Sequence, residues 1–416
     1  MADENQLPRS QHVAQFDGLR GLLALWVVVT HIICWCGWTE AILQWPFGRY
    51  WKELLFAQPA VEVFIILSGF AITLVLQERR PSYLAFMTGR FFRIYPTYAV
   101  CLIIGIASIG LTPAVLNSSH WRGTVYYKWV AKDSIQERAR TSEHIVAHTT
   151  LLYGLPPAAA LPSSTSALLP PAWSISLEWQ YYLLAPALAL LMRRSTGLIL
   201  VTLVSWLGLH YSALWQNPHL SFLPAQLPLF AIGIGSYHLF DRQTKELSTY
   251  STLPSAILIT VAILSQWKPV TLILWAVAYG SVFADGGSSF ARVLRAASRV
   301  LCHPLLQFLG RISYPLYLLH WPLIVASLFV MLQVWPSVNA AQATLLMFGL
   351  SLPLMLIGAY VLHRGVETPG MALGKRLAMR IRTRPLRLTG PEVRILDFTR
   401  PAHVSGTLAQ PAARAA

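Results

Sequence analysis

The chain has 416 residues, of which 55% are hydrophobic and only 12% are charged, and its formal net charge is +15. This composition excludes an ordinary soluble domain, in which about a quarter of the residues are charged. The basic residues lie mostly between apolar runs and in the tail, which favours contact with membrane lipids over a nucleic-acid partner. Apolar runs long enough to cross a bilayer recur, so the sequence predicts an all-α polytopic membrane helical bundle.

Residues 1–15 are polar and are predicted to be a cytoplasmic N-terminal segment, because they lack the apolar centre of a signal peptide. The predicted transmembrane domain covers residues 16–367, with its longest outer loop at about 113–171. A basic cytoplasmic tail, partly disordered, is predicted for 368–416. The hydropathy pattern predicts about ten spans, at 18–37, 55–76, 94–112, 172–192, 197–215, 222–240, 253–267, 269–286, 309–332 and 341–362.

The distribution of lysine and arginine predicts the orientation of these spans. With both termini inside, the inner segments hold 24 of the 32 lysine and arginine residues. Because cytoplasmic loops are enriched in these residues, we expect both termini to be cytoplasmic.

The first span contains Arg20 near its start and His31 eleven positions later. Eleven helical steps return almost to the same face and rise about 16 Å. An arginine near one membrane surface therefore shares a helix face with an imidazole deep in the bilayer. Because ionisable groups at that depth are costly, they indicate function by default.

Three further ionisable residues fall at a depth similar to that of His31. Glu62 and Glu178 lie in the outer halves of their spans, and His320 lies near mid-membrane. We expect these side chains to converge inside the bundle, where Glu178 or Glu62 would orient His31 as a general base. Taken singly, each is also consistent with a polar group that ties helices together through hydrogen bonds.

Arg90 and Arg93 lie one helical turn apart just before the third span. Two guanidinium groups on one face suit a phosphate-bearing ligand, although the positive-inside bias also explains such residues. His144 and His148 have the spacing of a metal pair after Glu143. No further ligand has suitable spacing, so the pattern favours an amphipathic loop helix and predicts no metal site.

The chain resembles the acyltransferase-3 family of integral membrane acyltransferases. The resemblance covers residues 16 to 367 and rests on five stretches in the family's order. They are FDGLRGLLALWVVVTH, VEVFIILSGF, RFFR followed by IYP, AWSISLEWQYYLLAP and ISYPLYLLHWPL.

The resemblance implies transfer of an acyl group, usually acetyl, from cytoplasmic acyl-CoA to a glycan or lipid hydroxyl. It implies no tightly bound cofactor, and a bacterial inner membrane is the natural setting. The family's motifs map its catalytic residues to His31 and Glu178, and its CoA-binding residues to Arg20, Arg90 and Arg93. His31 would either deprotonate the acceptor hydroxyl or carry the acyl group itself before passing it on, and the sequence does not choose between these two roles. Its substrate contacts are expected at Glu62, Trp173, Ser174, Tyr317 and His320, although many members carry Asp where this chain has Glu62.

Two other classes remain open at this point. Buried glutamates and histidines also suit a proton-coupled transporter of a glycan or lipid precursor. Against transport, the chain shows no visible internal repeat, and transport does not require the Arg90 and Arg93 pair. A non-catalytic scaffold is the least favoured class, because it has little use for clustered ionisable residues.

Overall fold

A computed structural model of the chain describes residues 13–44, 52, 55–192, 195–214, 219–245, 268–284 and 286–381. These ranges contain helices and no β-strand, which confirms the all-α class. The helices of the first part are α1 Ala14–Trp35, α2 Thr39–Leu43, α3 Gln58–Glu78, α4 Tyr83–Ala107, α5 Leu111–Ser118, α6 Val125–Ala139 and α7 Thr141–Thr149.

The second part begins with a 3₁₀ turn at Pro170–Ala172 that leads directly into α8. Its α-helices are α8 Trp173–Leu191, α9 Ser195–Leu214, α10 Leu223–Lys245, α11 Pro269–Gly280, α12 Ser289–Leu301, α13 Pro304–Val334, α14 Ala340–Leu346, α15 Leu352–Leu362 and α16 Thr368–Arg380. Further short 3₁₀ turns are His219–Ser221 and Ser281–Phe283.

Nine of the ten predicted spans coincide with helices, and the segment 253–267 lies outside the described residues. Five helical segments are both long and apolar enough to cross a membrane: Ala14–Trp35, Gln58–Glu78, Tyr83–Ala107, Pro304–Val334 and Ala340–Arg380. Shorter apolar stretches occur at Ile199–Gly208 and Pro269–Phe283. The total of ten spans and the cytoplasmic placement of both termini stay predictions.

Helix α4 begins eleven residues earlier than the predicted third span. The Ser82 hydroxyl caps it by accepting a hydrogen bond from the Ala85 amide at 3.3 Å. Arg90 and Arg93 lower the mean hydropathy of this first part, so hydropathy misses it although it is helical. As a result, Arg90 and Arg93 lie within a regular helix and project from one face.

The sequence predicted that the last apolar segment ends at residue 362, but the helical segment continues beyond it. One π-helical turn, Met347–Ser351, lies within the segment, and a second, His363–Glu367, joins α15 to α16. Gly370 and Gly374 allow α16 to approach α4 so closely that an added Cβ at Gly374 would lie 2.5 Å from Phe92 Cβ. The first part of the predicted tail therefore packs against the bundle.

Close packing of α1 against α13 positions the site. Cβ atoms added at Gly21 and Gly310 would clash with the backbone of the facing helix. Small residues at such a crossing let two helix backbones approach closely. Side chains farther along the two helices, including His31 and His320, consequently meet in the bundle interior.

Candidate active site

His31 and His320 form a hydrogen-bonded pair between α1 and α13. His320 Nε2 lies 3.2 Å from His31 Nδ1, and the ring centroids are 5.0 Å apart. His320 is fully buried, whereas His31 is partly exposed. The prediction that these two histidines converge inside the bundle is confirmed.

Backbone carbonyls determine which ring nitrogens carry protons. His31 Nδ1 lies 2.9 Å from the Val27 oxygen, and His320 Nδ1 lies 3.3 Å from the Leu316 oxygen. Because a carbonyl only accepts, both Nδ1 atoms carry hydrogen in the neutral pair. The His320 Nε2 lone pair then faces His31 Nδ1–H. The Nε2 lone pair of His31 is left without a partner among the described residues and can accept a proton.

The structure does not pair His31 with Glu178, one of the two carboxylates predicted to orient it. The Glu178 carboxylate accepts hydrogen bonds from Ser68 Oγ, at 3.1 Å, and from the Tyr182 hydroxyl. A neutral imidazole, His320, occupies the position that the sequence assigned to a carboxylate.

Glu62, the other predicted partner of His31, is also engaged elsewhere. It is buried and forms an ion pair with Lys268 Nζ at 2.8 Å, and it accepts a second hydrogen bond from the Thr271 hydroxyl. Burial of a carboxylate is costly unless it is paired, and these two contacts meet that requirement. They tie α3 to the start of α11.

A cleft lies between α1, α3, α4, α8 and α13. The space inside it, counted together with the part that is open to the surroundings, is about 810 Å³. Its polar wall consists of Arg20, Ser68, Arg93, Ser174, Glu178, Tyr182, Ser313, Tyr314 and Tyr317. Five different helices contribute these residues, so the cleft exists only in the folded chain.

Two of the three predicted phosphate-binding arginines line this cleft. Arg20 lies 3.6 Å from Asp17, and Arg93 donates to the Met371 sulfur at 3.4 Å. Neither of these contacts is a close pairing with a carboxylate. Both guanidinium groups therefore keep donors that an anionic ligand would use.

Arg90, the third predicted arginine, lies behind the cleft wall. Its guanidinium carbon is 5.8 Å from the centroid of the Tyr182 ring, and its buried Nε has no hydrogen-bond partner. An unpaired buried donor is costly, so Arg90 is a second place where an anion would relieve a deficit.

The Ser174 end of the cleft connects to the histidine pair through Tyr317. The Tyr317 hydroxyl donates to the Pro171 oxygen at 2.6 Å and lies 3.0 Å from Ser174 Oγ. Its ring centroid is 6.1 Å from that of His320, one turn farther along α13. Trp173, by contrast, is the first residue of α8, and its carbonyl accepts from Ser221 Oγ at 2.8 Å.

Residues 13–364 match the family model described as an acyltransferase domain. The chain belongs to the acyltransferase-3 family. Family membership and the five long apolar helices identify it as an integral membrane protein.

Two bacterial relatives are similar to this member of the acyltransferase-3 family. The peptidoglycan O-acetyltransferase OatA of Listeria monocytogenes is 22% identical over 397 residues, which cover 86% of this chain and 56% of the relative. Nodulation protein 10 of Rhizobium leguminosarum is 28% identical over 187 residues, which cover 44% of this chain and 46% of the relative. The chain therefore spans about half the length of the curated relatives it matches. No solved structure matches it significantly.

Sequence reasoning did not find several polar residues of this acyltransferase-3 site. Ser68 and Tyr182 hold Glu178, and Tyr314 lines the cleft while its hydroxyl donates to the Ile94 oxygen at 2.8 Å. The spacing of Glu178 and Tyr182, four residues apart on one helix, was a usable signal. Ser68 gave none, because a lone serine in an apolar helix has many explanations.

The two loop histidines are buried in the segment between α4 and α8. His148 stacks on Tyr153 at 3.8 Å and lies 3.0 Å from the Ser164 oxygen. Burial lowers the pKa of His148 to about 3, and burial followed by the charge of Arg140 lowers that of His144. Both residues lie on the predicted loop helix, now α7, and the described residues contain no cluster with three metal-ligating side chains.

Proposed function

We propose that the protein is an acyl-CoA-dependent O-acyltransferase that moves an acetyl group to a hydroxyl of a cell-surface glycan or glycolipid. One observation carries this proposal: the histidine pair, with an unoccupied basic nitrogen on His31, lies next to Tyr317, which is a wall residue of a cleft that also contains the guanidinium groups of Arg20 and Arg93. The acyltransferase family and the O-acetyltransferase relative support the same reaction class. Donor, acceptor and direction across the membrane belong to the proposal.

The donor would be held by charge at one end of the cleft. Arg20, Arg90 and Arg93 would bind the phosphates of acyl-CoA, because guanidinium groups match phosphate oxygens with two parallel hydrogen bonds. Along α1 the rise from Arg20 to His31 is about 16 Å. The long pantetheine arm of CoA suits that separation, and it would bring the thioester to the histidine pair.

The chemistry then requires one proton acceptor. His31 Nε2 removes the proton from the acceptor hydroxyl as its oxygen attacks the thioester carbonyl. The carbon–sulfur bond breaks, the carbon–oxygen ester bond forms, and the same proton returns to the CoA thiolate. While His31 is protonated, its Nδ1–H donates to Val27 and to the lone pair of His320, which keeps the ring oriented and spreads the charge.

Glycan acetylation is the natural setting, and we place it in a bacterial plasma membrane. The relative's name specifies O-acetylation of peptidoglycan. Since this chain spans 56% of that relative, the acceptor of the present protein is proposed only as a glycan or glycolipid. Cell-envelope and exopolysaccharide glycans both offer the hydroxyl that the reaction requires.

Mass spectrometry of envelope glycans and lipids, with and without the gene, tests the proposal. We expect a species heavier by one acetyl group in wild-type cells, and membranes from these cells should label it from radioactive acetyl-CoA. Unchanged glycans and no labelling would contradict the proposal. Glycan flux in vesicles without acyl-CoA would favour the proton-coupled transporter instead.

A further inference from the structure

A second cavity lies near the opposite end of α4 from the arginine pair. Its space, counted together with the part that is open to the surroundings, is about 460 Å³, and its wall includes Gly105, Trp129, Asp133, Ser134 and Glu137. Gly105 follows Arg93 by twelve residues, a rise of about 18 Å along α4. The charge distribution predicts that this end of the bundle faces outward.

Ser134 has an unpaired hydroxyl group in the wall of this cavity. The residue is 5% exposed and lines the cavity, and its hydroxyl makes no hydrogen bond. Leaving a buried hydroxyl unpaired costs about 1–3 kcal/mol. A ligand hydroxyl in the cavity would remove that cost.

The other polar groups of the wall suit a hydroxyl-rich ligand. Asp133 accepts from Ser163 Oγ at 2.6 Å, and Glu137 accepts from the Leu168 amide at 2.7 Å. Each carboxylate has two oxygens, so each retains acceptor capacity for further donors. Among the residues that form the wall, these two are the charged ones, and both are acidic.

One residue of the cavity wall contacts His31. Trp321 belongs to this wall, and the Trp321 ring meets the His31 ring edge-on with centroids 5.4 Å apart. Trp129, on the far side, is 47% exposed and is therefore accessible from outside the protein. The cavity wall therefore includes an exposed residue, Trp129, and the Trp321 side chain that packs against His31, while His31 itself is not one of the wall residues.

We propose that this cavity is the acceptor subsite and that it selects a neutral, hydroxyl-rich sugar residue. The inference rests on the proposed function and adds the substrate class of the acceptor side. The Asp133 carboxylate, with no cation among the wall residues, repels phosphate, sulfate and uronate groups, and the oxygens of both acidic side chains accept hydrogen bonds from sugar hydroxyls. The indole rings of Trp129 and Trp321 supply apolar area for the C–H face of a sugar ring.

Acetyl transfer by membranes that contain the full chain tests this proposal. Membranes with the wild-type chain receive radioactive acetyl-CoA, and glycans from the same cells are separated by anion exchange into neutral and anionic fractions. We expect the label in the neutral fraction. Ser134→Val and Trp129→Ala should lower labelling about tenfold at limiting glycan, because each loses one cavity contact. The acetyl-CoA concentration for half-maximal labelling should stay unchanged.

Ile135→Ala is the matched control, because Ile135 lies on the same helix but is 71% exposed and is not part of the wall. It should label like the wild type. Label in the anionic fraction would overturn the proposal, and so would Ser134 and Trp129 variants that match the control. If membranes with the wild-type chain label no glycan in either fraction, the proposed function itself is overturned, and the acceptor proposal fails with it. Asp133→Asn provides a milder variant, which should shift label toward the anionic fraction.

Discussion

The two cavities differ in charge, and each has one wall residue whose ring lies near the histidine pair: Tyr317 in the cleft and Trp321 in the second cavity. The cleft beside Tyr317 contains Arg20 and Arg93, whereas the cavity beside Trp321 contains Asp133 and Glu137. A membrane transferase must bring an anionic donor and a sugar acceptor to the same base from different sides. Opposite charges in the two sites would keep the donor out of the acceptor site, because like charges in a poorly solvated wall repel strongly.

His31 is the proposed base for the reaction, so its removal should have the largest effect. We expect His31→Ala to lower glycan acetylation by about 10²–10⁴-fold, the usual contribution of a general base. Labelling from radioactive acetyl-CoA in membranes measures the rate, and detergent-solubilised yield and thermal melting check the fold. A well-folded variant with undiminished labelling would remove His31 from the mechanism.

Arg93 belongs to the donor side alone. Arg93→Ala should raise the acetyl-CoA concentration for half-maximal rate by about 10–100-fold, because a charged hydrogen bond is worth about 1.5–3 kcal/mol. The concentration dependence on glycan should not change. Arg79→Ala is the control, since Arg79 is exposed at the end of α3. Equal effects of the two substitutions would show that Arg93 contributes only general positive charge at the inner face and no specific contact with the donor.

In the proposed mechanism, His320 acts through His31 as a positioning residue. His320→Gln should lower the maximal rate about tenfold, the lower end of what loss of an orienting partner costs. Half-saturating concentrations of both substrates should change little, because neither cavity loses a wall residue. Initial rates at varied acetyl-CoA and varied glycan separate these parameters. If instead either half-saturating concentration rises while the maximal rate holds, His320 contributes to binding and not to orientation.

The smallest effect is expected for Glu137, and it concerns the pH dependence of the free energy of unfolding. Burial raises the pKa of its carboxyl to about 7 from 4.5. Above pH 4.5 the unfolded chain releases this proton while the folded chain retains it. The contribution of Glu137 to stability therefore falls as pH rises toward 7, by an amount on the order of 1–2 kcal/mol.

Glu137→Gln should remove this fall. The melting temperature of the variant should therefore rise relative to that of the wild type as pH increases from 4.5 to 7. Thermal melting in detergent measures the difference. His148 provides an internal contrast, because its pKa is lowered to about 3. Its buried neutral ring costs stability as pH drops below 6.5, so removing it should change the pH slope in the opposite direction. Parallel melting curves for wild type and Glu137→Gln would contradict the assignment.

Within the part of the chain that the structure describes, the sequence correctly predicted which segments of high hydropathy are helical, but not how far capping and packing extend two of the helices. The start of α4 and the continuation into α16 were missed, because Ser82 and the glycines facing Phe92 act through local capping and packing. Both features determine where side chains of the site lie. The capped start of α4 presents Arg90 and Arg93 on one face, and α16 places Met371 against Arg93.

By itself, the sequence determined that ionisable residues lie deep in apolar helices, and that Arg20 and His31 share one face of α1. Cost in the bilayer and helical periodicity suffice for both conclusions. Only the tertiary structure decided the partners: His31 meets His320 instead of Glu178 or Glu62. It also placed an unpaired Ser134 in a cavity beside Trp321. The physical reason is that pairing depends on how helices rotate and cross, which the packing of α1 on α13 sets and no single segment encodes.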